Sequence, residues 1–118
     1  MKFFVDSGNL DDIRKLVPLG IVDGVTTNPS LLAKEKRPAT DIIKDICRLV
    51  QGPASYEVVS TDARGMITEG RTLTAVDPQV VVKALFTPAG VEPTRGLSSE
   101  GIRVNVTLCF SPTQALIA

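Results

Sequence analysis

An α/β fold of parallel strands, curved as part of a (β/α)8 barrel, is what this chain predicts, and three observations lead there. Short runs rich in valine and isoleucine alternate with longer segments of helical periodicity. One face of every such run is apolar, while the other carries a polar or charged residue near its C-terminal end. No linker, low-complexity tract or charge run breaks the order, so residues 1–118 read as a single domain. Repeated βα units with β-branched strands need helices on the apolar face, and in a barrel the polar face turns inward.

The elements follow in order. Phe3 to Asp6 is a first strand, and a helix runs from Asn9 to Leu19 with Leu10, Ile13, Leu16 and Val17 on one face. Asn9 is placed to cap it, Asp11 and Asp12 suit the first turn, and Gly20 ends it. Ile21 to Thr26 is the second strand, followed by a helix over Ala39 to Val50. Tyr56 to Ser60 is the third strand, and Thr61-Asp62 can cap a helix carrying Met66, Ile67 and Leu73. Val80 to Leu85 and Ile102 to Leu108 are the fourth and fifth strands. Between them Pro88 suits a first helical turn, but Gly90, Pro93 and Gly96 would lie inside the helix. Interior proline costs ~3 kcal/mol and glycine ~1 relative to alanine, so this segment is expected to be kinked, short or disordered. Ser111-Pro112 opens a further helix.

The run Val80-Val81-Val82-Lys83 puts an ammonium group among β-branched residues. Charge is costly to take out of water, so such a lysine lies at an exposed edge or is there for its amine. A desolvated lysine loses its proton more easily, and the neutral amine can attack a carbonyl to form a Schiff base. Strand parity places Lys83 on the same face as Asp6, Thr26, Glu57, Asn105 and Thr107. Five strands would then bring polar groups to one rim, where barrel sites collect.

Composition narrows the classes. Thirteen acidic and thirteen basic residues balance, which leaves no electrostatic footprint for nucleic acid or an anionic membrane surface. No stretch is long and apolar enough to span a bilayer, so a cytoplasmic location is expected. Histidine is absent, and proton transfer falls to carboxylates, lysine or tyrosine. Cys47 and Cys109 lack metal-site spacing and read as reduced apolar residues.

Each candidate has a plainer use. Asn28 before Pro29 caps a helix as readily as it binds a ligand, and Thr27 is ordinary turn chemistry. Asp6 can accept backbone hydrogen bonds, Asn105 and Thr107 can be satisfied core residues, and Glu57 can pair with Lys83 for structure alone. Their coincidence on one face is what favours chemistry.

Phe4-Val5-Asp6-Ser7, Gly24-Val25-Thr26-Thr27-Asn28-Pro29-Ser30-Leu31 and Glu57-Val58-Val59-Ser60-Thr61 resemble the transaldolase family. So do Val81-Val82-Lys83 and Asn105-Val106-Thr107-Leu108-Cys109-Phe110-Ser111, and the similarity is closest to the short subgroup that includes fructose-6-phosphate aldolase. The resemblance covers nearly the whole chain and implies a class I aldolase-type TIM barrel needing no metal or other cofactor. It implies a sugar phosphate substrate, from which a dihydroxyacetone unit passes to an aldehyde in the pentose phosphate pathway. On that resemblance Lys83 is the Schiff-base nucleophile, Asp6 assists proton transfer at the substrate hydroxyl, and Glu57 handles a catalytic water and the carbinolamine protons. Asn28, Thr26, Thr107 and Asn105 would position substrate or that water. Glutamate at position 57 resembles true transaldolases, whereas the compared fructose-6-phosphate aldolases carry glutamine.

The chain departs from the family pattern in two respects. Ala84-Leu85-Phe86 follows the lysine where short members have an apolar residue and proline. Five strands are supplied instead of eight, and the family's phosphate-binding serine and arginine have no counterpart. A truncated barrel of this kind is expected to form homo-oligomers, most simply a two-fold dimer. It is either an enzyme whose barrel another chain completes or a non-catalytic oligomerising remnant.

Overall fold

A computed structural model describes all 118 residues. Its five strands are β1 (Phe4–Asp6), β2 (Gly24–Thr26), β3 (Ala54–Glu57), β4 (Val80–Leu85) and β5 (Val104–Thr107). They form one sheet in sequence order, and every neighbouring pair is parallel. Sequence order with parallel pairing means that each strand is joined to its neighbour by a helical crossover, a connection that is right-handed as a general rule. This is an α/β fold consistent with part of a TIM barrel, with β1 and β5 at the open edges. No helix is long and apolar enough to cross a membrane.

Helix α1 (Leu10–Leu16) starts where the Asn9 side chain accepts from the amides of Asp11 and Asp12, both at 3.0 Å. It is shorter than the expected helix to Leu19. Pro18 has no N–H to continue the α-helical ladder, so Val17–Leu19 tightens into a 3₁₀ turn closed by Gly20 at φ 69°. The second strand also begins later than expected, at Gly24, because the Asp23 carboxylate and amide are engaged with the backbone of Phe3. A short helix not anticipated as a separate element, α2 (Pro29–Lys34), follows β2, and α3 (Ala39–Leu49) buries Ile42, Ile43, Ile46 and Cys47. With Ile13, Val25, Tyr56 and Val80 these side chains make the larger core cluster.

Helix α4 (Ala63–Thr74) is capped by Asp62, which accepts from Gly65 at 2.9 Å. Helix α5 (Pro88–Ser99) corrects the expectation of a kinked, short or disordered segment, since it runs unbroken through Pro93 for 12 residues. Pro93 and Leu97 are buried, and Leu97 joins Val58, Met66 and Val82 in the second core cluster. Full burial of one leucine returns about 1.5–3 kcal/mol, comparable to the proline cost. Gly90 is required where α5 leaves β4, because a Cβ there would collide with the Leu85 carbonyl oxygen. After β5, shorter at both ends than Ile102 to Leu108, Ser111 caps α6 (Pro112–Ile117).

The third strand is displaced from the expected Tyr56–Ser60. Its ladder ends with the Val58 amide bonded to the Lys83 carbonyl, and the amides of Val59 and Ser60 turn instead to the carboxylate of Glu69 on α4. Parity is unaffected, because Tyr56 and Val58 are buried under helices and Glu57 lies on the opposite face.

Candidate active site

Pairing register sorts the inward face into rows. Asp6 lies beside Thr26, Thr26 beside Ser55, and Ser55 beside Val81. The next row, one pleat nearer the C-terminal rim, sets Glu57 beside Lys83 and Lys83 beside Asn105. Parallel pairing sets these groups side by side on neighbouring strands without any sequence proximity among them.

The Lys83 ammonium is 3.1 Å from Glu57 Oε2, with the two side chains only 14% and 18% exposed. Its other recorded partner is the carbonyl of Thr27, at 3.4 Å. Lys83 and Glu57 line a shallow cavity of about 480 Å³ together with Asn28, Ser30, Thr107 and Leu108. Four of the seven candidate residues therefore share one space: Lys83, Glu57, Asn28 and Thr107.

The remaining three lie on the same face outside that cavity's lining, and none bonds to the Lys83 ammonium. Asp6 Oδ1 accepts from the Thr26 hydroxyl at 2.8 Å, and Asp6 makes no ion pair with the lysine. Asn105 donates to the Ser55 hydroxyl at 3.3 Å, which ties the two rows together. Asn28 also performs the plainer task, since its side-chain oxygen caps α2 by accepting from Leu31 at 3.0 Å. One side chain thus serves a helix and a cavity wall at once.

Ser55 escaped the sequence reading, and Thr27, weighed there only as turn chemistry, contributes as well. Ser55 is nearly buried on the inward face, two residues before Glu57, and the same period-two rule would have found it. Thr27 is fully buried, gives its carbonyl to Lys83, and leaves its hydroxyl without a partner. Tyr56, a candidate for proton transfer by residue type, lies on the helix side. There burial pushes its phenol upward, reinforced by neighbouring Cys47 and Asp77. Cys47 behaves likewise: burial, with the Asp77 carboxylate beside it, raises the thiol to about 11. Neither is poised for chemistry near neutrality.

A largely buried amine with a carboxylate in direct contact, an amide and a hydroxyl around one cavity, and a second carboxylate and a second amide on the same face of the sheet, can support amine addition to a carbonyl. Comparison with known proteins gives the family. Residues 3–118 match the family model described as transaldolase/fructose-6-phosphate aldolase. A probable transaldolase of Desulfatibacillum aliphaticivorans is 59% identical over 118 residues, covering 100% of this chain and 55% of the relative. Probable transaldolases of Aquifex aeolicus and Kosmotoga olearia are 54% and 52% identical, again over the whole chain and 54% of each relative. The chain spans about half the length of the curated relatives it matches. With a family model matched from Phe3 to Ala118, the chain belongs to the transaldolase/fructose-6-phosphate aldolase family.

Proposed function

We propose that the chain carries the Schiff-base-forming part of a transaldolase site, transferring a dihydroxyacetone unit from a ketose phosphate to an aldehyde acceptor. The observation that carries this reading is the 3.1 Å contact between Lys83 and Glu57, both largely buried on neighbouring parallel strands. An ion pair there is poor value for stability alone, because desolvation offsets most of its attraction.

Glu57 takes a proton from the Lys83 ammonium, and the neutral amine adds to the substrate ketone. The carbonyl electron pair moves to oxygen, which takes up the proton released by the added nitrogen, and the carbinolamine loses water as Glu57 returns its proton to the leaving hydroxyl. The resulting iminium accepts the electron pair of the breaking carbon–carbon bond while Asp6 removes the proton from the hydroxyl on the departing aldehyde. The enamine left on Lys83 then adds to the acceptor aldehyde, and hydrolysis releases the product. The Thr26 hydroxyl orients Asp6, and Asn28, Asn105 and Thr107 supply neutral donors and acceptors for substrate hydroxyls or water. Glutamate at position 57 favours transfer over simple lyase chemistry by the family distinction drawn above.

The same reading places the protein in carbohydrate metabolism through the pentose phosphate pathway, and in the cytoplasm, where two unpaired thiols stay reduced. It also includes a homo-oligomer. Strands β1 and β5 each present an unpaired edge, which templates pairing with another strand. The test is turnover of a ketose phosphate and an aldose phosphate by the purified chain, with Lys83→Ala as control. Turnover lost in the variant supports the reading, and equal turnover in both overturns it. No turnover and no covalent adduct in either favours the non-catalytic remnant.

A further inference from the structure

Between the last rung of β3 and the cap of α4, the backbone depends on one side chain. The Val58 amide donates to the carbonyl of Lys83 at 3.1 Å, and Asp62 then caps α4 through Gly65. The amides of Val59 and Ser60 lie between these points and have no backbone acceptor. Glu69, in the second turn of α4, receives both: Val59 at 3.0 and 3.1 Å and Ser60 at 3.0 Å, with the Ser60 hydroxyl at 2.9 Å. Glu69 enters none of the ion pairs, so these neutral donors are its recorded partners. Hydrogen bonds to an ionised acceptor are about twice as strong as neutral ones, which makes this carboxylate a firm anchor.

The anchored turn begins directly after the Glu57–Lys83 pair. Glu57 is two residues upstream of Val59, and the rung from Val58 ends on Lys83 itself. Behind Glu57 the helical layer holds a cavity of about 340 Å³, walled by Glu57 and Glu69 with Pro29, Tyr56 and Val59. The Val59 side chain is exposed and does not itself pack the turn in place, so loosening the turn would fray first the rung that sets Glu57 against Lys83.

We propose that Glu69 is a positioning residue whose carboxylate holds the Val59–Ser60 turn so that Glu57 stays in contact with Lys83. Its consequence for turnover rests on the transaldolase reading; its effect on the Glu57–Lys83 geometry does not.

The experiment uses the full chain with Glu69→Ala and Glu69→Gln. It follows amide exchange at Val59 and Ser60, and acylation of Lys83 by acetic anhydride relative to the exposed Lys44. A third readout is the borohydride-trapped adduct of dihydroxyacetone on Lys83. In Glu69→Ala the two amides exchange roughly 100-fold faster, the Lys83-to-Lys44 acylation ratio rises about fivefold, and adduct formation slows about tenfold. Glu69→Gln keeps one carbonyl acceptor, falls between the two, and carries the test if the alanine variant does not fold. A merely structural role would lower the melting temperature without changing the Lys83-to-Lys44 ratio in folded protein. That result overturns the proposal, as do unchanged exchange rates. Absence of an adduct in the unmodified chain counts against the transaldolase reading alone, and the acylation ratio still decides the role of Glu69.

Discussion

Removing the Lys83 amine alone should destabilise the fold more than removing it together with the Glu57 charge. At the observed 3.1 Å, two unit charges attract by about 5 kcal/mol at an effective dielectric constant of ~20. Both side chains are more than four-fifths buried, so desolvation cancels most of that gain. Lys83→Met preserves the volume but leaves the Glu57 carboxylate with no recorded partner, at a cost of about 2–3 kcal/mol. Glu57→Gln keeps an acceptor oxygen for the ammonium and should cost about 1–2 kcal/mol. The double variant buries no charge at this point and should lie within ~1 kcal/mol of the unmodified chain, a coupling of about 3 kcal/mol. In a domain of this size 1 kcal/mol moves the melting temperature by roughly 4 °C, so Lys83→Met should melt about 8–12 °C lower and the double variant near the starting value. Thermal and urea unfolding by circular dichroism at neutral pH measure all four proteins. Losses that simply add in the double variant would refute the reasoning, because two groups that pair across neighbouring strands cannot behave independently. A double variant that recovers stability shows that the pair is not kept for stability.

Four further outcomes follow from the same geometry. Asp6→Asn retains an acceptor for the Thr26 hydroxyl, so melting should change by no more than about 3 °C while turnover falls roughly 10²–10⁴-fold; adduct formation with dihydroxyacetone should persist, and unchanged turnover contradicts the assignment. Iodoacetamide should label Cys109 in the folded protein and leave Cys47 unmodified until unfolding, as mass spectrometry reads directly. Because burial raises the Cys47 thiol from 9.0 to about 11, the folded state keeps a proton that the unfolded chain loses, and the urea midpoint should fall as pH rises through that range. Light scattering of the 118-residue chain at micromolar concentration should find oligomers, and a monodisperse monomer contradicts the argument from open sheet edges.

What the sequence reveals of the site is the part that depends on local periodicity. Alternation along β4 and β5 puts Lys83, Asn105 and Thr107 on one face, and the same rule brings in Asp6, Thr26 and Glu57, because side-chain direction in a strand is a two-residue property. Contacts made over long sequence separation are not legible in this way. The third strand ends early because Glu69 reaches back across ten residues to take the Val59 amide, a contact no propensity encodes. Helix α5 passes through Pro93 because Leu97 packs against Val58, Met66 and Val82, so tertiary burial outweighs an intrinsic cost that the sequence states plainly. Asn28 shows the limit of choosing between uses, since it caps α2 and lines the cavity at once.

The central claim is that Lys83 is the residue that bonds to the substrate carbonyl. Incubation of the chain with dihydroxyacetone, reduction by borohydride and peptide mapping by mass spectrometry test it most directly. The account predicts a single reduced adduct on Lys83, absent without borohydride and absent in Lys83→Ala. An adduct spread over exposed lysines such as Lys2 and Lys44, with Lys83 unmodified, would contradict it.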